Sequence, residues 1–273
     1  MLIVISMINR RFKANRPKIV GSTDMTPYWQ VIEQIISESD IILEVLDARM
    51  PELSRNDELE KLVKRKNKEL IFILNKSDLV SENMLRKMFN KLKKEADVFS
   101  VSTKERMGTR RLREYLIRVS KNQNIRIGVL GYPNTGKSSI INSLVLRKKA
   151  PVSSKAGTTH GIQWVKSSNL EVMDSPGVIP IGKNDEMRLS LIGSKNPEKI
   201  KNLELVAYKI IDLLPNKNRI LEYYEIKEKV EDNEEIIRLI GVKKGFIKKH
   251  GEIEENRVAI QIIRDWQRGN LRL

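Results

Sequence analysis

The segment Gly131-Tyr132-Pro133-Asn134-Thr135-Gly136-Lys137-Ser138 constrains the fold of this 273-residue chain more than any other. It matches the pattern GxxxxGK[ST], follows the apolar run Ile125–Leu130, and opens a helical pattern over residues 139–146. A glycine-rich turn between a strand and a helix directs backbone N–H groups at phosphate oxygens. We therefore predict a phosphate-binding loop in which Lys137 contacts the β- and γ-phosphates and Ser138 ligates Mg²⁺. The nucleotide contacts that we assign to this loop are Asn134, Thr135, Gly136, Lys137, Ser138 and Ser139.

Five further short apolar runs predict β-strands, and helical patterns at 57–66, 82–95 and 108–121 lie between them. The runs are Ile41–Leu46, Leu70–Leu74, Val98–Val101, Ile162–Lys166 and Leu170–Met173. Buried strands that alternate with helices favour a mainly parallel sheet covered by helices on both faces. The last two runs flank a turn at 167–169 and predict a hairpin.

The pattern changes after residue 181, where helical periodicity continues without a strand. Helical stretches occupy residues 186–214, 219–230, 233–240 and 256–267, with interruptions at Pro197, Pro215 and three glycines. We predict a basic N-terminal arm at 1–24, an α/β domain at 25–181, and a small all-α C-terminal domain at 182–273 that contacts RNA.

A second motif selects the base of the nucleotide. Asn75-Lys76-Ser77-Asp78 follows the strand Leu70–Leu74 and matches the NKxD pattern. The Asp78 carboxylate can accept hydrogen bonds from the ring N–H and the exocyclic amine of guanine, whereas adenine would leave it unpaired. Asn75 and Lys76 would brace the base and the phosphate loop. GTP or GDP is therefore the expected ligand.

Three further segments occupy the positions that a GTP site requires. Asp174 ends the strand Leu170–Met173 and would hold Mg²⁺, and Gly177 follows it as a sensor of the γ-phosphate. Thr159 lies between Lys137 and Asp174, and we prefer it to Thr158 as the switch threonine that closes over Mg²⁺ and the γ-phosphate. Finally, the segment of Ser102, Thr103 and Lys104 follows the strand Val98–Val101 and can donate a backbone N–H to guanine O6.

The motif order places base recognition before the phosphate loop, and in this order the chain resembles the circularly permuted GTPases. It is similar to their ribosome-assembly branch in Asp47-Ala48-Arg49-Met50-Pro51, which resembles the DARxP signature. The similarity extends to residues 131–134, 163–166, 257–259 and 265–269. The resemblance implies a P-loop GTPase domain in permuted order, followed by a helical domain that contacts ribosomal RNA of the large subunit. The segment after Gly177 would transmit the nucleotide state to that domain.

Charge and composition fit this interpretation. The chain has 51 Lys and Arg against 35 Asp and Glu, a net charge of +16 that attracts polyanions. Residues 181–273 hold 19 of the basic and 16 of the acidic residues, so +13 of the excess lies before them. There is no cysteine, which excludes disulfides and thiolate chemistry, and the apolar run at residues 1–5 is too short to span a membrane. We expect a cytoplasmic monomer without a membrane or DNA partner.

Catalysis itself is the least defined part of the sequence. Val178 stands where many GTPases carry the glutamine that orients water, so we expect slow intrinsic hydrolysis that a partner stimulates. By resemblance, Asn134 is a candidate ligand for a potassium ion near the phosphates, and a turn-forming role is the alternative. Residues 23–29 lack the histidine of some bacterial members. An RNA-binding module with structural GTP, and a GTPase acting on tRNA or a protein, remain the alternative functions.

Overall fold

The computed structural model describes residues 27–145, 163–174 and 185–273. Within them, six strands form one sheet in the order β3-β2-β1-β4-β6-β5. The strands are β1 (Ile41–Asp47), β2 (Glu69–Asn75), β3 (Asp97–Ser100), β4 (Ile125–Leu130), β5 (Gln163–Ser167) and β6 (Leu170–Asp174). All neighbours pair in parallel except β5 and β6, which form the predicted antiparallel hairpin. The mainly parallel sheet is confirmed.

Helices cover both faces of the sheet, as predicted. They are α1 (Pro27–Glu38), α2 (Pro51–Ser54), α3 (Asp57–Arg65), α4 (Glu82–Leu92), α5 (Thr109–Val119) and α6 (Lys137–Val145). One face packs on α5 and α6 through residues such as Leu112 and Ile140. The opposite face packs on α1, α3 and α4 through Ile35, Leu62 and Leu92. Because both faces are buried, the strands have continuous apolar runs.

Strand register brings the motifs to one edge of the sheet. Asp47 at the end of β1 pairs with Asn75 at the end of β2. Val129 of β4 pairs with Asp174 of β6, so the phosphate loop begins beside the end of β6. Ligands bind at the carboxyl ends of strands in open α/β sheets. The two predicted motifs therefore face the same crevice.

The C-terminal part is all-helical in the described residues. It contains α7 (Glu186–Leu191), a 3₁₀ turn (Pro197–Lys199), α8 (Leu203–Leu213), α9 (Asn218–Tyr223), α10 (Asn233–Lys244) and α11 (Glu255–Arg268). The helical prediction for 219–230 was too long, since regular helix ends at Tyr223 and Glu225 adopts φ +57°. Gly245 follows α10 and Gly269 follows α11, each in the left-handed conformation typical of a helix stop.

These helices do not stand apart from the sheet domain. Their apolar core, built around Ile210, Ile237 and Ile262, also includes Met50 from the loop after β1, and Leu53 and Val80 pack against it. The C-terminal helices thus cover the crevice side of the α/β unit. Every helix in the described ranges is too short or too polar to cross a lipid bilayer.

Candidate nucleotide-binding site

The phosphate loop has the backbone geometry that its glycines predict. Gly131 adopts φ +142° and Gly136 φ +100°, which other residues rarely adopt. A Cβ on Gly131 would lie 2.6 Å from the carbonyl oxygen of Val45, and one on Gly136 would lie 2.0 Å from Nδ2 of Asn75. Helix α6 begins at Lys137, two residues earlier than predicted, so its N-terminus opens directly onto the loop. This is a cradle for an anion.

Lys137 and Ser138 lie side by side at the N-terminus of α6, next to the loop. Lys137 is buried, and its Nζ donates a 2.7 Å hydrogen bond across the loop to the carbonyl of Tyr132. The Thr135 hydroxyl donates to the same carbonyl over 2.9 Å. Ser138 opens the helix beside Lys137, and its hydroxyl takes no hydrogen bond from the described residues. The Lys137 ammonium could therefore donate to a phosphate oxygen, and the Ser138 hydroxyl oxygen could ligate Mg²⁺.

Asn75 joins the base motif to the phosphate loop. Its Nδ2 donates a 2.8 Å hydrogen bond to the carbonyl of Thr135, although the two residues are 60 positions apart. Its Oδ1 lies 3.4 Å from both the backbone N and the hydroxyl of Thr103. The buried side-chain amide of Asn75 therefore connects its own base motif to the phosphate loop and to the segment 102–104.

Asp78 is oriented by Ser102. The Ser102 hydroxyl, which is fully buried, donates a 2.6 Å hydrogen bond to Oδ1 of Asp78. The backbone N–H of Glu105 donates in turn to the Ser102 hydroxyl over 3.0 Å. The second oxygen of Asp78 accepts from no described residue, so the carboxylate keeps acceptor capacity for guanine. Lys104 is exposed beside it.

Asp47 and Arg49, which the sequence indicated only as part of a family signature, are central to this site. Asp47 and Arg49 are fully buried and form a bidentate ion pair, with Nε to Oδ1 at 3.0 Å and Nη2 to Oδ2 at 2.8 Å. Lys76 joins them through a 2.7 Å bond from Nζ to Oδ2 of Asp47. The sequence did contain a signal for them, because Asp47 ends a buried apolar run just as Asn75 does. The structure pairs these two strands and brings Asp47 beside Asn75.

The charges in this cluster shift one another's protonation. Burial alone would raise the pKa of the Asp47 carboxyl, but the Lys76 ammonium and the Arg49 guanidinium outweigh it and hold that pKa far below its usual range. Burial lowers the pKa of Lys76, and the Asp47 carboxylate partly opposes that shift. At neutral pH, Asp47 is therefore ionised and fixes the Lys76 side chain in place.

The outer surface of the phosphate loop contacts the C-terminal helices. The Asn134 amide donates to the carbonyl of Gly193, and the Ser194 hydroxyl donates to the carbonyl of Pro133 over 3.1 Å. Tyr132 packs against Leu189 and Ile192. Asn134 has φ +63°, which fits the turn role. Its bond to Gly193 uses Nδ2, and Oδ1 accepts no hydrogen bond from the described residues, so the potassium role is compatible as well.

Part of the predicted site lies outside the described residues. Thr159, Gly177 and Val178 lie outside those ranges, and so do the basic residues of the arm at 1–24. Asp174 ends β6 with its backbone beside Val129, but its side chain is not described. Within the described ranges, no group of three or more His, Asp or Glu residues could hold a metal ion. A Mg²⁺ ion here would be held by hydroxyl, phosphate and isolated carboxylate oxygens.

Comparison with known proteins identifies the family. A family model described as RsgA GTPase matches residues 22–183, more than half of the chain. The chain belongs to the RsgA GTPase family. Because its base motifs precede the phosphate loop, it is a circularly permuted member, as the resemblance implied. A second model, described as 50S ribosome-binding GTPase, matches residues 126–256.

Individual relatives of this RsgA-family chain are similar over most of its length. A GTP-binding protein of Methanocaldococcus jannaschii, itself described as uncharacterized, is 42% identical over 90% of this chain and 66% of that protein. Nucleolar GTP-binding protein 2 of Pneumocystis carinii is 32% identical over 89% of this chain and 52% of that protein. The chain thus spans about half to two thirds of the length of these curated relatives.

A solved structure supports the fold of the whole described part. The crystal structure of GNP-bound YlqF from T. maritima has a TM-score of 0.64 and 25% sequence identity. The match covers 89% of this chain and 94% of that one. The permuted P-loop GTPase fold with C-terminal helices is therefore confirmed.

Proposed function

We propose that this protein binds and hydrolyses GTP as a switch in large ribosomal subunit assembly, and that its nucleotide state controls its binding to ribosomal RNA. The observation that carries the proposal is the 2.8 Å bond from Asn75 to Thr135, which joins the guanine motif to the phosphate loop in one crevice. The matched 50S ribosome-binding model and the relative named as a nucleolar protein support the ribosomal role.

The nucleotide would lie across the crevice with its base at Asp78 and its phosphates at the N-terminus of α6. Asp78 would pair with guanine, and the backbone at 102–104 would donate to its O6. Lys137 and the loop N–H groups would stabilise the charge that develops on the phosphates, and this is the main catalytic contribution available to the described residues. Ser138, Thr159 and Asp174 would hold Mg²⁺, with Thr159 and Gly177 sensing the γ-phosphate.

The helical part, which we assign to 182–273, is the proposed RNA-contacting unit, together with the basic arm at 1–24. The turn between α10 and α11 exposes Lys248, Lys249 and His250. Lys227, Lys229 and Lys249 form no ion pair with the rest of the described chain, so they are free to contact phosphate groups. Such contacts make binding strongly salt-dependent.

The contacts of Asn134 and Pro133 with residues 193 and 194 give the phosphate loop a direct route to this unit. Binding of GTP would fix the loop and the docked helices, and hydrolysis would release the factor from RNA. Because Val178 cannot orient water, turnover would be slow until the subunit or a cation such as potassium completes the site. The cytoplasmic compartment and the monomeric state stay predictions.

Co-sedimentation with purified large subunits, small subunits and tRNA tests the proposal. We expect the protein to bind large subunits with a non-hydrolysable GTP analogue, to bind them more weakly with GDP, and to lose binding as salt rises. Lys137→Ala should remove the difference between the two nucleotides. Equal RNA binding with and without nucleotide would favour an RNA-binding module with structural GTP, and preference for tRNA would favour the other alternative.

A further inference from the structure

The buried ion cluster at the end of β1 connects the base motif to the C-terminal helices. The Asp47 carboxylate accepts four hydrogen bonds. Arg49 donates three of them, from its backbone N at 3.1 Å, from Nε at 3.0 Å and from Nη2 at 2.8 Å. Lys76 donates the fourth over 2.7 Å. Because both oxygens are saturated, a movement of Arg49 displaces the carboxylate that holds Lys76.

Arg49 continues the connection to helix α11. Its remaining terminal nitrogen, Nη1, donates a 2.6 Å hydrogen bond to the carbonyl of Trp266, and its guanidinium lies 4.0 Å from the Trp266 ring centroid. Trp266 is fully buried, and its Nε1 donates to the carbonyl of Leu191 over 2.8 Å. The Arg49 guanidinium therefore packs against Trp266 of α11, whose ring is in turn held by Leu191 at the end of α7.

A second contact joins the same two parts. The 3₁₀ turn Ser77–Leu79 carries Asp78, and the carbonyl of Leu79 accepts a 2.8 Å hydrogen bond from the backbone N of Leu273. Gly269, at the end of α11, packs so closely on Leu79 that an added Cβ would lie 2.9 Å from Cδ1. Residues 76–79 are thus held on both sides, Lys76 through Asp47 and Arg49 by α11, and Leu79 by residues that follow α11.

We propose that Asp47 and Arg49 are positioning residues that couple guanine binding to the seating of helix α11. This inference rests on the proposed guanine-binding role of residues 75–78. The coupling acts through the base, so GDP and GTP would stabilise the docked helices alike. Because coupling between sites is reciprocal, a partner that displaces α11 would weaken the binding of either nucleotide. A partner that pulls α11 away would thus have a route to release nucleotide that is distinct from γ-phosphate sensing.

Arg49→Lys tests the coupling because it keeps the charge but removes the forked geometry and the bond to Trp266. We expect this variant to weaken binding of GDP and of a GTP analogue by the same factor, about tenfold for one charge-assisted hydrogen bond. The KM for GTP should rise by that factor while kcat changes little, since the lost interaction is shared by ground and transition states. Glu52→Gln is the control, because among the described residues the Glu52 side chain forms only an exposed ion pair with Lys91.

Trp266 provides a second measurement. In a Trp29→Phe, Trp164→Phe background, acrylamide quenching reports only on Trp266. We expect GDP to reduce quenching when Arg49 is present and to have no effect with Arg49→Lys. Should Arg49→Lys fail to fold by circular dichroism, Trp266→Phe is the second variant. It keeps the backbone carbonyl that Arg49 contacts but loses the Leu191 bond and replaces the indole under the guanidinium by a smaller ring, and it should weaken GDP binding by a few-fold.

The outcomes separate the two proposals. If the unmodified protein binds no guanine nucleotide, the proposed function and the coupling both fail. If it binds GDP and the Arg49→Lys variant binds it equally well, or if GDP leaves Trp266 quenching unchanged, the coupling alone is overturned. A loss confined to the GTP analogue would also overturn it, because that result places the effect at the γ-phosphate.

Discussion

Replacement of Gly136 by alanine tests the link between the base motif and the phosphate loop. Gly136 has φ +100°, and a Cβ there would overlap Nδ2 of Asn75 at 2.0 Å. Alanine in a left-handed conformation costs about 1–2 kcal/mol. To relieve the overlap, Asn75 must also release the carbonyl of Thr135, and an unpaired buried carbonyl costs about 1–3 kcal/mol more. The expected loss of unfolding free energy is about 2–5 kcal/mol.

Gly245→Ala is the matched control, because Gly245 has φ +66° and no atom within 4 Å of the added Cβ. It should show only the backbone cost. Urea unfolding of both variants without nucleotide measures the difference, and GDP titration should show weakened binding for Gly136→Ala alone. Equal destabilisation of the two variants, with unchanged GDP affinity, would refute the argument that Asn75 joins the two motifs.

Three further predictions concern single side chains. Asp78→Asn should weaken GTP binding about 100-fold and improve binding of xanthosine triphosphate, whose C2 carbonyl accepts from an amide, as competition titrations can measure. Burial raises the pKa of Glu44 well above its usual value, so its ionisation costs stability as pH rises above about 4. Glu44→Gln should therefore raise the free energy of unfolding by about 1 kcal/mol at pH 8 and by less at pH 5, as urea unfolding can measure. The glutamine oxygen would still accept the hydrogen bond from the backbone N of Asn56. Lys76 and Arg49 together outweigh burial and hold the pKa of Asp47 low, so Asp47 contributes stability above pH of about 4 that is lost in acid. Asp47→Asn should therefore flatten the fall of unfolding free energy in acid, as urea unfolding at several pH values can measure.

Much of the sheet domain follows from local sequence. The six strands were predicted within two residues because β-branched runs of four to seven residues are buried on both faces of a parallel sheet. The shared crevice followed from the same reasoning, since Asn75 ends β2 and Gly131 comes directly after β4. The strand order depends on pairing between distant segments, which local patterns do not reveal. The antiparallel pairing of β5 with β6 was predicted, because a turn joins the two strands.

Contacts over long sequence distances could not be predicted in this way. The Arg49 bond to Trp266 spans 217 positions, and no local pattern distinguishes a buried arginine from an exposed one. Likewise, the contact of Asn134 with Gly193 depends on how the helices dock. The helix predicted at 219–230 was too long because its Ile, Lys and Glu residues fit a helical period. In the structure the helix ends at Tyr223, and the left-handed backbone of Glu225 prevents its continuation.

The most direct test of the ribosomal role is GTP hydrolysis by the purified protein, with and without large ribosomal subunits, in potassium and in sodium buffer. Lys137→Ala serves as the inactive control in each condition. We predict slow hydrolysis alone and strong stimulation by large subunits, with a potassium requirement if a cation binds beside Asn134. Steady hydrolysis that neither subunit changes would contradict the assembly switch, and would leave a GTPase whose partner lies elsewhere.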